Sequence, residues 1–183
     1  MTFSAALPIL ISKTENKTLA NVISIFAGAL LIAALAQIAI PLPWTAVPIT
    51  GQTFGVSLMA LTWGWKRSSL VMGVYLIGGS LGLPFFASIG ALGATSGYLI
   101  GMLASSVVLG FLADSGWTNS FLKAFLATYL GSAIVLGTGL FVLSFFVPSE
   151  ALLTAGLWPF LPGDLFKNFL AANLATKIKT SVA

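Results

Sequence analysis

Two side chains of opposite charge stand one helical turn apart near the C-terminal end of this chain. Asp164 and Lys167 follow the stretch 158–163, whose two prolines and glycine are expected to interrupt any helix before them, and they open the apolar run 164–175. That spacing predicts both side chains on one face of a helix beginning near Asp164. The pair is either a carboxylate cap with a lysine reaching to water or a polar binding site.

The composition is that of a protein whose main solvent is a lipid bilayer. Hydrophobic residues make up 58% of the chain and charged residues 7%, where a soluble domain has about 25%. Neither Cys nor His occurs, which excludes disulfides, thiol nucleophiles and the commonest general base and metal ligand. No glycine-rich phosphate loop is present. We therefore expect no enzyme activity, no cofactor, no metal site and no nucleic-acid partner.

The apolar segments predict an all-α, polytopic membrane protein with one six-helix transmembrane domain, 19–183. Residues 1–18 are predicted to form a tail or an interfacial segment. The first segment is long enough to span about 30 Å of hydrocarbon, and prolines end it. We expect an external loop at 41–51 and a second loop, with an apolar part, at 148–163. The predicted segments are 19–40, 52–65, 68–83, 94–113, 121–147 and 164–175.

The basic residues orient this bundle. With both termini in the cytoplasm, all but one of the eight Lys and Arg residues lie inside, as the positive-inside rule requires. The residues that obey it are Lys13, Lys17, Lys66, Arg67, Lys123, Lys177 and Lys179. The exception is Lys167, which falls within membrane depth beside Asp164. Charges at that depth mark functional sites by default, and their burial must be offset by mutual pairing or by a ligand.

Further polar or flexible residues near the predicted outer side are candidates for the same site. They are Gln52, Thr53, Tyr75, Gly93, Tyr98 and Asn168. Capping accounts equally well for the threonine, and core packing for the tyrosines, so both alternatives stay open. With Asp164 and Lys167 they suggest an outer pocket with one carboxylate, one ammonium, and Gln, Tyr and Trp side chains. Such a pocket suits a small amphipathic solute with hydrogen-bond donors and an acid group.

Two rows of small residues predict close approach between helices. The first row consists of Gly93, Gly97, Gly101 and Ser105. Its spacing of four indicates internal packing within 94–113. The second row includes Ala29 and Ala33 in 19–40. It is either an internal packing face or a docking face for a partner subunit.

Five motifs, in order along the chain, resemble the BioY family, the biotin-binding S components of energy-coupling factor (ECF) transporters. The motifs are Ile40-Pro-Leu-Pro, Val47-Pro-Ile-Thr-Gly-Gln-Thr-Phe54, Gly79-x-x-Gly82-Leu-Pro-x-Phe86-Ala, Gly97-Tyr-Leu-Ile-Gly101 and Phe160-Leu-Pro-Gly-Asp-Leu-Phe-Lys167. The similarity runs from about residue 40 to residue 167, and residues 1–18 show no match to it.

The resemblance implies six helices and a pocket near the outer face, under a gating first loop. It implies that Asp164 and Lys167 hold polar groups of biotin, with Gln52 and Tyr98 among the other contacts. It also implies partners in a bacterial cytoplasmic membrane: a transmembrane T component, which would dock on the small face of 19–40, and two ATPase subunits.

One departure from the family concerns the carboxylate of biotin. Some relatives carry an Arg after the third helix, whereas 87–97 has no basic residue here. We expect Lys167, the N–H groups of 90–93, or the hydroxyls of Thr95 and Ser96 to meet the acid instead.

Two further classes of function remain as alternatives. An S component for another small vitamin would keep the fold and change the pocket. A membrane protein outside transport would be a structural subunit or an intramembrane enzyme. Such an enzyme would have to catalyse its reaction with Asp164 and Lys167, without His or Cys.

Overall fold

The computed structural model of the chain describes residues 5–7, 11, 15–87 and 92–182. Most of these residues are helical, which confirms the predicted fold class, and Lys13 lies outside them. The elements are α1 (Lys17–Gln37), β1 (Ala39–Leu42), β2 (Thr45–Thr50), α2 (Gln52–Trp63), α3 (Trp65–Ser80), α4 (Ser96–Asp114), a 3₁₀ turn (Trp117–Asn119), α5 (Phe121–Leu143), α6 (Ser149–Gly156) and α7 (Leu161–Val182).

Each of the six predicted segments overlaps one of the helices α1–α5 and α7. Among the described residues, α1, α4 and α5 are the three helices long and apolar enough to cross a membrane. Helix α2 has 12 residues, which is only about 18 Å of helix. The six segments are therefore real helices of unequal length.

The expected loop 41–51 is wrong, because most of this stretch is a β-hairpin. Strands β1 and β2 pair antiparallel, with Ala39 opposite Thr50 and Ile40 opposite Ile49. Prolines fit here because a two-stranded sheet consists of edge strands. The N–H of Gly51 donates to carbonyl oxygens at the end of α1, 3.1 and 3.2 Å away, so the hairpin is fixed to that helix.

The predicted boundaries of the last helix, 164–175, are also wrong. Helix α7 begins at Leu161 and includes Pro162 and Gly163 in its first turn. Proline is tolerated there because the first N–H groups of a helix have no partner within the helix. The helix continues to Val182 through two lysines, where the apolar pattern had stopped. The loop predicted before it contains helix α6.

A glycine and an aspartate form the turn between α2 and α3. Gly64 has φ +78°, a conformation that other residues rarely adopt. A Cβ atom there would also lie 2.8 Å from Oδ2 of Asp114, whose carboxylate accepts the N–H of Trp65 at 3.1 Å. Trp65 therefore begins α3, although the apolar pattern had placed it at the end of the preceding segment.

Helix α2 lies at the centre of the bundle, in contact with α1, α3, α4 and α7. Eight of its 12 residues are buried. Helices α4 and α5 pack closely along Gly97 and Gly101, which confirms that the first row of small residues serves internal packing. This packing leaves one end of α2 under the hairpin, where the candidate site lies.

The docking role of Ala29 and Ala33 is not supported by their positions. Ala29 is 1% exposed and Ala33 is 7% exposed, and both belong to the main hydrophobic core. Small side chains are needed there because α1 packs against α2 and α3. Of the two alternatives for this row, internal packing is the one that the structure supports.

Candidate functional site

A recess opens at the end of the bundle where the hairpin, the segment after α3 and the start of α7 meet. It has about 540 Å³ of space, part of it open to solvent. Its wall consists of Val47, Pro48, Thr50, Gln52, Phe86, Ala87, Thr95, Tyr98, Leu99, Met102, Leu136, Phe160 and Lys167. The wall is mainly apolar with a few polar groups, which is the usual character of a small-molecule site.

Lys167 supplies the ammonium group in this wall. Its Nζ donates to the backbone carbonyl of Thr50 at 3.2 Å and to the hydroxyl of Thr53 at 2.8 Å. These contacts bind α7 to the end of β2 and the start of α2. A Lys ammonium has three donors. Among the described residues, two neutral oxygens accept from Lys167, so one N–H remains for a ligand.

Gln52 lines the recess and connects it to Tyr75. The Gln52 side-chain oxygen accepts the hydroxyl of Thr50 at 2.8 Å, and its amide nitrogen donates to the Tyr75 hydroxyl. Tyr75 is fully buried and is not part of the wall. Through Thr50, this chain of polar groups reaches Lys167.

Asp164 and Lys167 do not pair directly. Of the two predicted ways to offset their burial, mutual pairing or a ligand, the structure does not show mutual pairing. Asp164 accepts the Ser132 hydroxyl at 2.9 Å and the Asn168 amide at 2.9 Å. The same Asn168 amide donates to the Ser132 oxygen at 2.8 Å. Asp164 is buried and is not part of the wall, although the wall residues Phe160, just before α7, and Lys167, in α7, flank it along the chain. The carboxylate thus joins α7 to α5 through a closed ring of hydrogen bonds.

Tyr98 also lines the recess. Its hydroxyl donates to the carbonyl of Gly156 at 2.8 Å, which fixes α6 to α4. Its ring packs 6.2 Å from the ring of Phe160 and occupies the space beside Gly139 where a Cβ atom would stand. Tyr98 therefore presents mainly its ring to the recess.

The segment after α3 closes one side of the recess through two phenylalanines. Phe85 stacks on Tyr75 at 6.1 Å, and Phe86, which lines the recess, meets the same ring edge-on at 5.5 Å. The exposed Gln37, at the end of α1, donates from its amide to the carbonyls of Pro84 at 3.2 Å and Phe86 at 3.4 Å. Gln37 thus holds this segment against the end of the bundle.

Replacing Gln37 with leucine should increase the rate at which a bound ligand leaves the recess. The variant keeps the side-chain size but loses two hydrogen bonds to the closing segment, each worth about 1 kcal/mol net, so we expect dissociation to rise roughly threefold to tenfold. Stopped-flow measurement of ligand release tests this. Ala34→Leu, an exposed change one turn earlier, is the control, and equal release from both variants would contradict the role of Gln37.

The predicted site residues separate into three groups. Gln52, Tyr98 and Lys167 line the recess. Four others lie outside the wall. Thr53 and Tyr75 form hydrogen bonds with wall residues, whereas Asp164 and Asn168 form a ring of hydrogen bonds with Ser132. Gly93 is not in the wall, and its carbonyl accepts the hydroxyl of Ser96 at 2.7 Å.

Other parts of the wall differ from the sequence prediction. Trp44 and Trp158 are exposed and line no part of the recess. Of the groups proposed to meet an acid, Lys167 and Thr95 are in the wall, whereas residues 90 and 91 lie outside the described part of the chain. Sequence reasoning missed the apolar wall residues Met102 and Leu136, because an apolar residue in a helix gives no signal that separates core packing from ligand contact.

The profile of the BioY family matches residues 11–183 of this chain. The chain belongs to the BioY family. The match extends the resemblance seen in the motifs to almost the whole chain, including part of the N-terminal stretch for which no similarity had been found.

Two relatives and one solved structure show how closely this family member follows the others. It is 37% identical over 146 residues to the biotin transporter BioY of Thermotoga maritima, covering 76% of this chain and 85% of that protein. It is 33% identical over 177 residues to the biotin transporter BioY of Rhodobacter capsulatus, covering 86% and 92%. A crystal structure of the S-component for biotin from an ECF-type ABC transporter superposes with a TM-score of 0.81 at 25% identity, over 91% and 94% of the two chains.

Proposed function

We propose that this protein binds biotin in the recess beneath the hairpin and serves as the S component of an ECF transporter. The observation that carries the proposal is a mainly apolar recess with one ammonium, Lys167, in a chain whose relatives are biotin transporters. Biotin has an anionic valerate, an apolar thiophane and chain, and a ureido ring with two N–H donors and one acceptor. Each part has a counterpart among the wall residues.

We assign the polar contacts according to position. Lys167, Gln52 and Tyr98 contact biotin directly, because they line the recess. Thr53 and Tyr75 hold Lys167 and Gln52 in place through hydrogen bonds. Asp164 and Asn168 position α7, which carries Lys167, through their ring with Ser132. A single ammonium is suited to receive a carboxylate as a point charge. The valerate is therefore placed toward Lys167, with the hydroxyl of Thr95 as a second candidate, and the ureido ring toward Gln52.

A binding isotherm on the purified protein in detergent tests this function. Biotin should bind saturably, and a panel of other small vitamins should not compete. Competition by another vitamin with higher affinity would favour an S component of different specificity. If no vitamin binds, the protein is a membrane subunit outside transport.

The proposed partners are a transmembrane T component and two ATPase subunits, which supply the energy that a binding subunit without a phosphate loop lacks. The protein itself acts as a binding subunit and not as an enzyme. Large apolar side chains of α1 are exposed, among them Ile23, Phe26 and Leu30. In isolation they face lipid. Purification of the protein from the native membranes of its own cells tests these partners. The ATPase subunits should co-purify with it.

The proposed orientation in a bacterial cytoplasmic membrane has both termini and the α4–α5 turn in the cytoplasm. The chain has no native Cys, so single cysteines can be labelled without background. Ser115→Cys and Ser149→Cys, both at exposed positions, should react with a membrane-impermeant maleimide from opposite sides. Labelling from one side would rule out the orientation.

Replacing Asp164 with asparagine should weaken biotin binding roughly tenfold. The ring with Ser132 and Asn168 needs two acceptor oxygens at position 164, and an amide supplies one. Ser132→Ala removes one arm of the ring and keeps the carboxylate. If Asp164 only positions α7, both variants should lose affinity for biotin in proportion to their loss of thermal stability. If Asp164→Asn loses affinity while Ser132→Ala keeps it, the carboxylate contacts biotin directly.

A further inference from the structure

A second recess, lined by polar side chains, lies at the opposite end of the bundle from the first. It is formed by the 3₁₀ turn before α5 and the last turns of α7, which pack against each other. It has about 550 Å³ of space, part of it open to solvent. Its wall consists of Thr118, Asn119, Thr176, Lys177, Lys179 and Thr180.

Both charged side chains in the wall of this recess are basic. Lys177 and Lys179 line it, and the sequence holds no Asp or Glu from residue 115 to residue 149 or after Asp164. The next carboxylate along the chain, Asp114, accepts the N–H of Trp65 in the α2–α3 turn. The wall also contains the exposed amide of Asn119. An anion is the ligand that these groups favour.

Thr118 is the second, independent sign of a ligand. Its side chain is 2% exposed. Its buried hydroxyl has no hydrogen-bond partner in the described part of the chain. A buried polar group without a partner destabilises a protein by about 1–3 kcal/mol. By contrast, the hydroxyls of Thr176 and Thr180 already donate to carbonyls of α7, at 2.9 and 2.7 Å.

Apolar side chains beside the recess indicate where the rest of the ligand lies. Phe121, Leu122 and Ile178 are 38%, 62% and 39% exposed, and each lies within three residues of a recess residue along the chain. A ligand with a charged end and an apolar body would contact both sets of residues. A basic pocket at the cytoplasmic end of transmembrane helices is a recurrent place for the headgroup of an anionic lipid.

We propose that this recess binds the phosphate group of an anionic phospholipid. Lys177 and Lys179 receive the phosphate charge, Asn119 and Thr118 donate hydrogen bonds to its oxygens, and the acyl chains lie along the exposed apolar side chains. Both lysines are needed because the carbonyl end of α7 repels an anion. The lipid would fix the C-terminal end of α7 to the turn before α5.

Titration of phosphatidylglycerol into the full-length protein in a neutral detergent, followed by native mass spectrometry, tests the proposal. Phosphatidylglycerol should bind saturably, whereas phosphatidylcholine should not. The double variant Lys177→Gln, Lys179→Gln should bind phosphatidylglycerol at least about tenfold more weakly. The matched control is Lys17→Gln, Lys66→Gln, which removes the same charge from the same end of the bundle. It should retain wild-type affinity, and equal loss in both variants would overturn the site.

Two further experiments distinguish a phospholipid from free phosphate and test the role of the buried Thr118 hydroxyl. Inorganic phosphate at the same concentration should not displace phosphatidylglycerol, and displacement would overturn the assignment to a lipid. Thr118→Val should weaken phosphatidylglycerol severalfold without lowering thermal stability in the absence of lipid, because it removes a hydroxyl that has no partner there. Unchanged lipid affinity in Thr118→Val would contradict the place of Thr118 in the site.

Discussion

Replacing Lys167 with methionine is expected to weaken biotin binding by roughly tenfold to a hundredfold. A hydrogen bond to a charged group contributes roughly 1.5–3 kcal/mol, and each 1.4 kcal/mol changes affinity about tenfold. The variant keeps an unbranched chain of similar length but removes the ammonium from the wall. It also removes the contacts of Lys167 with Thr50 and Thr53. An isotherm on the purified variant in detergent measures the effect.

Biotin methyl ester shows which end of the ligand Lys167 meets. If Lys167 receives the carboxylate, the wild-type protein should prefer the acid over the ester and the variant should lose most of that preference. If Lys167 meets the ureido carbonyl, the variant should bind both the acid and the ester more weakly, by similar factors. Lys123→Met makes the same chemical change at an exposed position and should bind as wild type does. Wild-type affinity in a folded Lys167→Met variant would remove Lys167 from the site.

Replacing Gly101 with valine is expected to disrupt the packing of α4 on α5. A Cβ atom at this position would lie 2.8 Å from Cα of Val135 and would overlap the hydroxyl of Thr138. Backbone atoms cannot move away as a flexible side chain can, so the two helices must separate. Overpacking of a well-packed core typically destabilises by about 1–3 kcal/mol, and here we expect the upper part of that range. Thermal unfolding in detergent measures the loss.

Gly137 offers a matched control for this change. It lies in α5, and a Cβ atom there would meet nothing within 4 Å. Gly137→Val therefore makes the same substitution in the same pair of helices without the steric overlap. It should unfold close to the wild-type temperature. Equal destabilisation by both substitutions would show that the effect comes from valine in a helix and not from the contact between α4 and α5.

The amino-acid sequence by itself determined the fold class and the position of each main helix. Apolar runs and prolines are properties of consecutive residues, so the helices α1–α5 and α7 could be placed to within a few residues in most cases. The largest errors arose where local rules compete. The stretch 41–51 pairs as a hairpin despite its prolines, and α7 starts through Pro162 and Gly163 because its first turn needs no N–H donors.

The sequence also identified Lys167 as exceptional, because a basic residue at membrane depth stands out without any structure. The same argument could not say what its ammonium contacts. Asp164 is the nearest carboxylate along the chain, yet Lys167 contacts Thr50 and Thr53, more than 100 residues away. Partners that distant are brought together by the packing of α7 on α2, which no local pattern records.

Only the tertiary structure decided which candidates face the recess and which support it. Gln52 and Tyr75 look equivalent as polar residues on neighbouring helices, but Gln52 is in the wall and Tyr75 is behind it. Ala29 and Ala33 likewise suit a docking face or a core, and the packing of α1 buries them. The physical reason is that helical periodicity defines which residues share a face, whereas the neighbours of that face are set by the arrangement of all the helices.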